Sequence, residues 1–128
     1  MLILDTHVWW WALSEPGHLS VVAGEVIDSV PRDQLAISSI SIWELSLLFS
    51  RGKIELKVAP EEWFEAALQR VEVIPLSPTI TLGAYRLPGE FHRDPADRMI
   101  VATARCLGGR LVSKDRAIRN YEFVETVW

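Results

Sequence analysis

Short apolar runs, separated by stretches with helical spacing, constrain this chain more than any other feature of it. The runs cover residues 1–4, 35–38, 71–76 and 111–113, with a weaker one at 123–127. Each has the length of a buried strand rather than of a helix. Between them the pattern predicts helices over 7–13, 20–30, 41–51, 60–69, 78–87 and 95–107, several opening on Ser, Asp or Pro as helix starts do. Strands that alternate with helices predict an α/β fold with a central parallel sheet flanked by helices.

Composition bounds what such a fold can be. With 128 residues, 49% of them hydrophobic, the chain fits a single compact domain over 1–128. The lone cysteine, Cys106, cannot form an internal disulfide, which fits a reducing compartment. Asp5 arrives too early for the apolar stretch of a signal peptide, and no run reaches about 18 apolar residues. A cytoplasmic protein without a membrane partner is therefore expected. The formal charge of −4 argues against a simple binder of phosphate backbones.

Ligands of parallel sheets gather beyond the carboxyl ends of the strands, where loops and helix N-termini converge. Asp5 directly follows the first run, and Asp115 follows the fourth after one further residue. Glu44 falls on the first turn of the helix after the second run, and Asp97 on the first turn of the helix opened by Asp94-Pro95. Four separate segments thus aim a carboxylate at one edge. Clustered carboxylates repel one another, and burial raises their pKa values unless a cation compensates. Oxygen donors without neighbouring Cys or His suit Mg2+ or Mn2+. Such an ion activates water for attack on a phosphate and inverts the local potential, so that an acidic pocket can receive an anionic strand.

Each acid also has a plain structural explanation. Ser41-Ile42-Trp43-Glu44 fits a capping box in which Glu44 serves the helix start. Asp94 reads as a helix cap with Pro95 at the first position, and Asp5 and Asp115 can each cap a short following helix. What capping leaves unexplained is that all of these acids fall at one sheet edge.

The stretches Leu2-Ile3-Leu4-Asp5-Thr6-His7, Ser38-Ser39-Ile40-Ser41-Ile42-Trp43-Glu44-Leu45, His92-Arg93-Asp94-Pro95-Ala96-Asp97-Arg98-Met99-Ile100-Val101-Ala102 and Leu111-Val112-Ser113-Lys114-Asp115 together resemble the PIN domain, and within it the VapC-like toxins of toxin–antitoxin pairs. The resemblance spans essentially the whole chain. It implies a doubly wound α/β sandwich and an Mg2+- or Mn2+-dependent ribonuclease that leaves a 5′-phosphate and a 3′-hydroxyl. Carried over by position, the catalytic and metal-holding quartet is Asp5, Glu44, Asp97 and Asp115. Ser113 matches a family Ser or Thr close to the metal, and Asp94 an acid present in part of the family. The resemblance also implies an RNA substrate, a cognate VapB-like antitoxin and a homodimer.

Around these acids, Arg93, Lys114 and Arg116 are candidates for holding phosphates, and Arg98 is the cation favoured for a supporting role at the site. His7 is expected to face away from Asp5, and Thr6 to help start the first helix. Trp9, Trp10 and Trp11 cannot all face one core from adjacent helical positions, so at least one is exposed or covered by a partner. Trp43 and Trp63 lie in segments with more apolar surface than a monomer buries, for which core packing and a protein interface are both expected ahead of base stacking. Rival readings are a haloacid-dehalogenase-type phosphatase, which needs a second Asp where His7 stands, and a receiver-type domain, which gives Asp97 no reason to open a helix. A PIN nuclease of RNA processing and a non-catalytic PIN-like scaffold are the alternatives within the resemblance; the intact acids speak against the scaffold.

Overall fold

The computed structural model describes residues 1–128. Five strands, β1 (Leu2–Leu4), β2 (Leu35–Ser38), β3 (Glu72–Ile74), β4 (Arg110–Val112) and β5 (Thr126–Val127), form one sheet in the order β3-β2-β1-β4-β5. Every neighbouring pair is parallel. The helices are α1 (Thr6–Ser14), α2 (Val21–Ser29), α3 (Ile40–Ser50), α4 (Pro60–Leu68), α5 (Pro78–Ala84), α6 (Pro95–Cys106) and the short α7 (Arg116–Arg119). The α/β architecture read from the sequence is the one observed. Strand β3 is shorter than its apolar run because Pro75 has no N–H to continue the ladder.

Alternation along β1 divides the core in two. Leu2 and Leu4 join Ile37 and Val112 on one face and meet Val8, Trp9 and Trp10 of α1, Leu45 of α3 and Trp63 of α4. Ile3 and Leu111 point to the other face, against Ile100, Val101 and Ala104 of α6 and Ile118 of α7. Both faces are covered, as an all-parallel sheet requires, and each fully buried aliphatic side chain contributes about 1.5–3 kcal/mol. Gly108, at φ +59°, ends α6, and Gly109 then passes so close to β1 that a Cβ there would stand 2.6 Å from the Met1 carbonyl oxygen and 2.4 Å from Cδ1 of Ile3.

Contrary to the expectation for adjacent helical positions, all three tryptophans of the run meet one core: Trp9 and Trp10 are buried in it, and half-buried Trp11 packs against its edge, stacked on His18 with ring centroids 5.4 Å apart. Trp63 is buried too, and its Nε1–H donates to Ser14 Oγ at 2.9 Å, so this segment is core rather than interface. Trp43 remains 57% exposed. No helix is long and apolar enough to cross a membrane.

The register fixes where the site forms. Leu4 lies level with Ile37 of β2 and with Val112 of β4, so the three central strands end within one residue of one another. The chain runs β1 to β2 to β3 outward on one side and returns on the other side of β1 as β4. This reversal opens a crevice between the ends of β1 and β4, bordered by Asp5 and Ser113.

Candidate active site

Asp5 leaves β1 and caps α1, accepting from the Thr6 N–H at 2.8 Å with Oδ1. Its other oxygen, Oδ2, accepts from Ser113 Oγ at 2.6 Å, across the crevice at the end of β4. Ser113 is fully buried, and its Oγ also accepts from the Asp115 N–H at 3.0 Å. One serine hydroxyl thus sets the orientation of Asp5 and the path of the chain to Asp115. Asp115 itself caps α7 through Oδ1, which accepts from the Ile118 N–H at 3.0 Å.

Glu44 reaches the same place from α3. The capping-box reading fails here: the helix begins at Ile40, so Ser41 lies inside it and does not cap. The buried Ser41 hydroxyl instead meets Thr6 Oγ1 at 2.8 Å, and Thr6 Oγ1 donates to Glu44 Oε1 at 2.5 Å. Thr6 was expected to help start α1, but its side chain serves Glu44.

Asp97 enters from the first turn of α6, and Asp94 is the cap of that helix, accepting from the Asp97 N–H at 2.9 Å. The carboxylates of Asp5, Glu44, Asp94, Asp97 and Asp115 line one cavity of about 470 Å³, together with His7, Trp11 and Lys114. Burial raises the Asp5 carboxyl above its ordinary value, against the hydrogen bonds from Ser113 and Thr6 that lower it. Glu44 is raised by burial and by the charges of Asp5 and Asp94. Asp97 is pushed up to about 8, by burial first and then by the charges of Asp5, Asp94, Asp115 and Glu44. An excess of negative charge that strains its own ionisation is the electrostatic signature of a cation site.

The other residues separate clearly. Lys114 lines the cavity, with Nζ 5.8 Å from the centre of the Trp11 ring. Arg93 and Arg116 are exposed and do not line it. Arg98, the cation favoured at the site, is directed elsewhere: its Nη1 donates to the carbonyls of Phe91 at 3.2 Å and His92 at 3.4 Å, and its guanidinium lies over Tyr85 and Phe91. His7, expected to face away, is exposed at the rim of the cavity, and its proximity eases the charge of Asp5 and Glu44. Sequence reasoning missed His92, whose Nε2 lies 3.1 Å from Asp97 Oδ2. Ligand atoms of His92, Asp97 and Asp115 all fall within 4.8 Å of one another. The residue sits in a loop outside any periodic pattern, and its only signal was its closeness to the cap of α6.

The five-stranded parallel sheet flanked by helices, with carboxylates gathered at its switch point, places the chain in the α/β class with an acidic crevice whose side chains could hold a metal ion. Residues 2–124 match the PIN domain family, and the chain belongs to that family as a VapC-like member. It is 37% identical over 129 residues to Ribonuclease VapC22 of Mycobacterium tuberculosis (strain ATCC 25618 / H37Rv), covering 99% of this chain and 98% of that protein. Its fold resembles the DNA-bound VapBC from Salmonella typhimurium, with TM-score 0.72, 21% identity and coverage of 98% of this chain and 96% of the other. It also resembles a toxin-antitoxin complex from Klebsiella pneumoniae, with TM-score 0.70, 20% identity and coverage of 100% and 97%.

Proposed function

We propose that this chain is a toxin endoribonuclease that hydrolyses RNA phosphodiester bonds with Mg2+ or Mn2+ held by Asp5, Glu44, Asp97 and Asp115. The observation that carries this reading is the convergence of four carboxylates from four elements on one cavity, three of them forced toward their protonated forms by burial. The donor set is carboxylate oxygen, the preference of a hard divalent ion. When bound, the ion offsets charge building on the phosphate and activates water for attack.

The chain's own groups set the geometry for that chemistry. Ser113 and the Thr6 N–H hold both oxygens of Asp5, so its carboxylate cannot rotate freely. From the other side of the crevice the Ser41–Thr6 pair holds one oxygen of Glu44, Oε1. Lys114, at the wall, meets a phosphate oxygen of the strand, and Arg93 and Arg116 meet flanking phosphates from outside the cavity. These local cations offset the unfavourable overall charge.

The identity to a named ribonuclease supports RNA as the substrate. The likeness to a toxin-antitoxin complex supports neutralisation by a cognate VapB-like antitoxin. Exposed Trp43 on α3 and Leu82 and Tyr85 on and beside α5 supply apolar surface for that partner and for a homodimer.

The test is cleavage of RNA by the purified protein with Mg2+ or Mn2+ and with EDTA, followed by mapping of new 5′-phosphate ends. Cleavage is expected only with the ion. The reading fails if cleavage proceeds equally with EDTA.

A further inference from the structure

The loop before α6 carries an arrangement that the acid quartet does not account for. His92 packs its ring against Phe91, with centroids 4.4 Å apart, and Arg98 fastens this dipeptide by donating to both of its carbonyls. On its far side the ring is tied to the helix cap: the Asp94 N–H donates to His92 Nδ1 at 3.3 Å. With Nδ1 accepting, the hydrogen of the neutral ring resides on Nε2. That nitrogen is buried and has no aligned hydrogen-bond partner, while Oδ2 of Asp97 stands 3.1 Å away. That oxygen lies off the Nε2–H axis in this structure, at a distance from which a shift of the Asp97 carboxylate would bring it into line.

We infer that His92 is a positioning residue for the cation site: its imidazole, clamped by Arg98 and the Asp94 backbone, holds one oxygen of Asp97 and thereby fixes how that carboxylate faces the cavity. The inference rests on the cation reading above. Direct ligation by His92 is geometrically open, since its ligand atom lies within 4.8 Å of those of Asp97 and Asp115. The tautomer decides against it, because an Nε2 that bears the hydrogen has no lone pair to give. Groups that orient a ligating side chain in this way alter metal affinity about 10- to 100-fold. Arg98 acts one step further out, on the loop and not on the carboxylate.

The test is titration of Mn2+ into the metal-free protein without RNA, following the free ion by electron paramagnetic resonance. His92→Phe keeps the ring against Phe91 and removes the donor; His92→Gln places an amide N–H where Nε2 was. His92→Phe is expected to bind Mn2+ about 10- to 100-fold more weakly, and His92→Gln to recover most of the loss. Spin-echo spectra of the wild-type complex should carry no histidine nitrogen coupling. Equal affinity in wild type and a folded His92→Phe overturns the inference, as does a nitrogen coupling that His92→Phe abolishes, which makes His92 a ligand. Should His92→Phe not fold, Arg98→Met, which releases the loop carbonyls and keeps the packing, must weaken Mn2+ binding, and unchanged binding refutes the clamp. If the wild type binds no Mn2+, the cation reading itself falls and takes this inference with it.

Discussion

Replacing Asp97 by Asn is expected to stabilise the metal-free protein while removing its ability to hold a cation. Asp97 has a carboxyl raised from 3.8 to about 8, so the folded state binds this proton more tightly than the unfolded chain does. The associated stability is fully present below about pH 4 and is lost as the pH rises towards 8. Each pH unit in that window costs about 1.4 kcal/mol, which comes to about 4 kcal/mol at pH 7. The Asp97 side chain is 22% exposed, and neighbouring acids share its proton, so the gain on substitution is a fraction of this, about 2 kcal/mol. For a chain of this length, that is a rise in Tm of roughly 6–10 °C. The assay is thermal unfolding in EDTA from pH 5 to 9, with a parallel series in Mn2+. The difference between Asp97→Asn and wild type should grow from pH 5 to 8 and then level off. In Mn2+ the order should reverse, because only the wild type gains from the ion. A variant that melts below wild type in EDTA at pH 8 refutes the electrostatic argument.

Other perturbations have separate readouts. Asp5→Asn should abolish new 5′-phosphate ends in RNA while leaving the circular dichroism spectrum unchanged, and persistent cleavage would remove Asp5 from the reaction. Thr6→Val should cost about 1–2 kcal/mol in thermal stability, because the buried Ser41 hydroxyl loses its partner, and should also weaken Mn2+ binding through Glu44. An unchanged melting curve would mean that this hydroxyl pair contributes nothing. Gly109→Ala forces a Cβ against the Met1 carbonyl, and the urea midpoint should fall by the equivalent of about 2–3 kcal/mol. Wild-type stability there would show that β1 and α6 can separate without cost.

Much of the site was legible because strand ends and helix caps are local features. Asp5 and Asp115 follow apolar runs directly, and Asp94 with Pro95 marks a helix start whatever the surrounding fold. Asp5, Asp94 and Asp115 serve as caps and line the cavity at once, so for these three the structural and functional readings were never exclusive. What escaped were residues whose role depends on direction in space. Arg98 lies next to Asp97 in the chain, but one helical step of about 100° turns it away to the Phe91–His92 carbonyls. Ser41 looked like a cap, but the N-cap of α3 is Ser39, two residues earlier, which places Ser41 inside the helix with its hydroxyl at Thr6. His92 could not be found from spacing, since a loop has no period. Its position comes from contacts with Asp94 and Arg98 that exist only after folding.

The hydrogen bond from Ser113 to Asp5 joins residues 108 positions apart. During synthesis, β1 and the first acid leave the ribosome early, whereas β4, Ser113 and Asp115 are among the last parts of the described chain to appear. Strand β1 therefore lacks one of its two neighbours until β4 is made, and no fragment of the described chain ending before β4 can assemble the cavity. The order of strands in the sheet makes the cavity late to form: its carboxylates can meet only after β4 and Asp115 have been added to the chain.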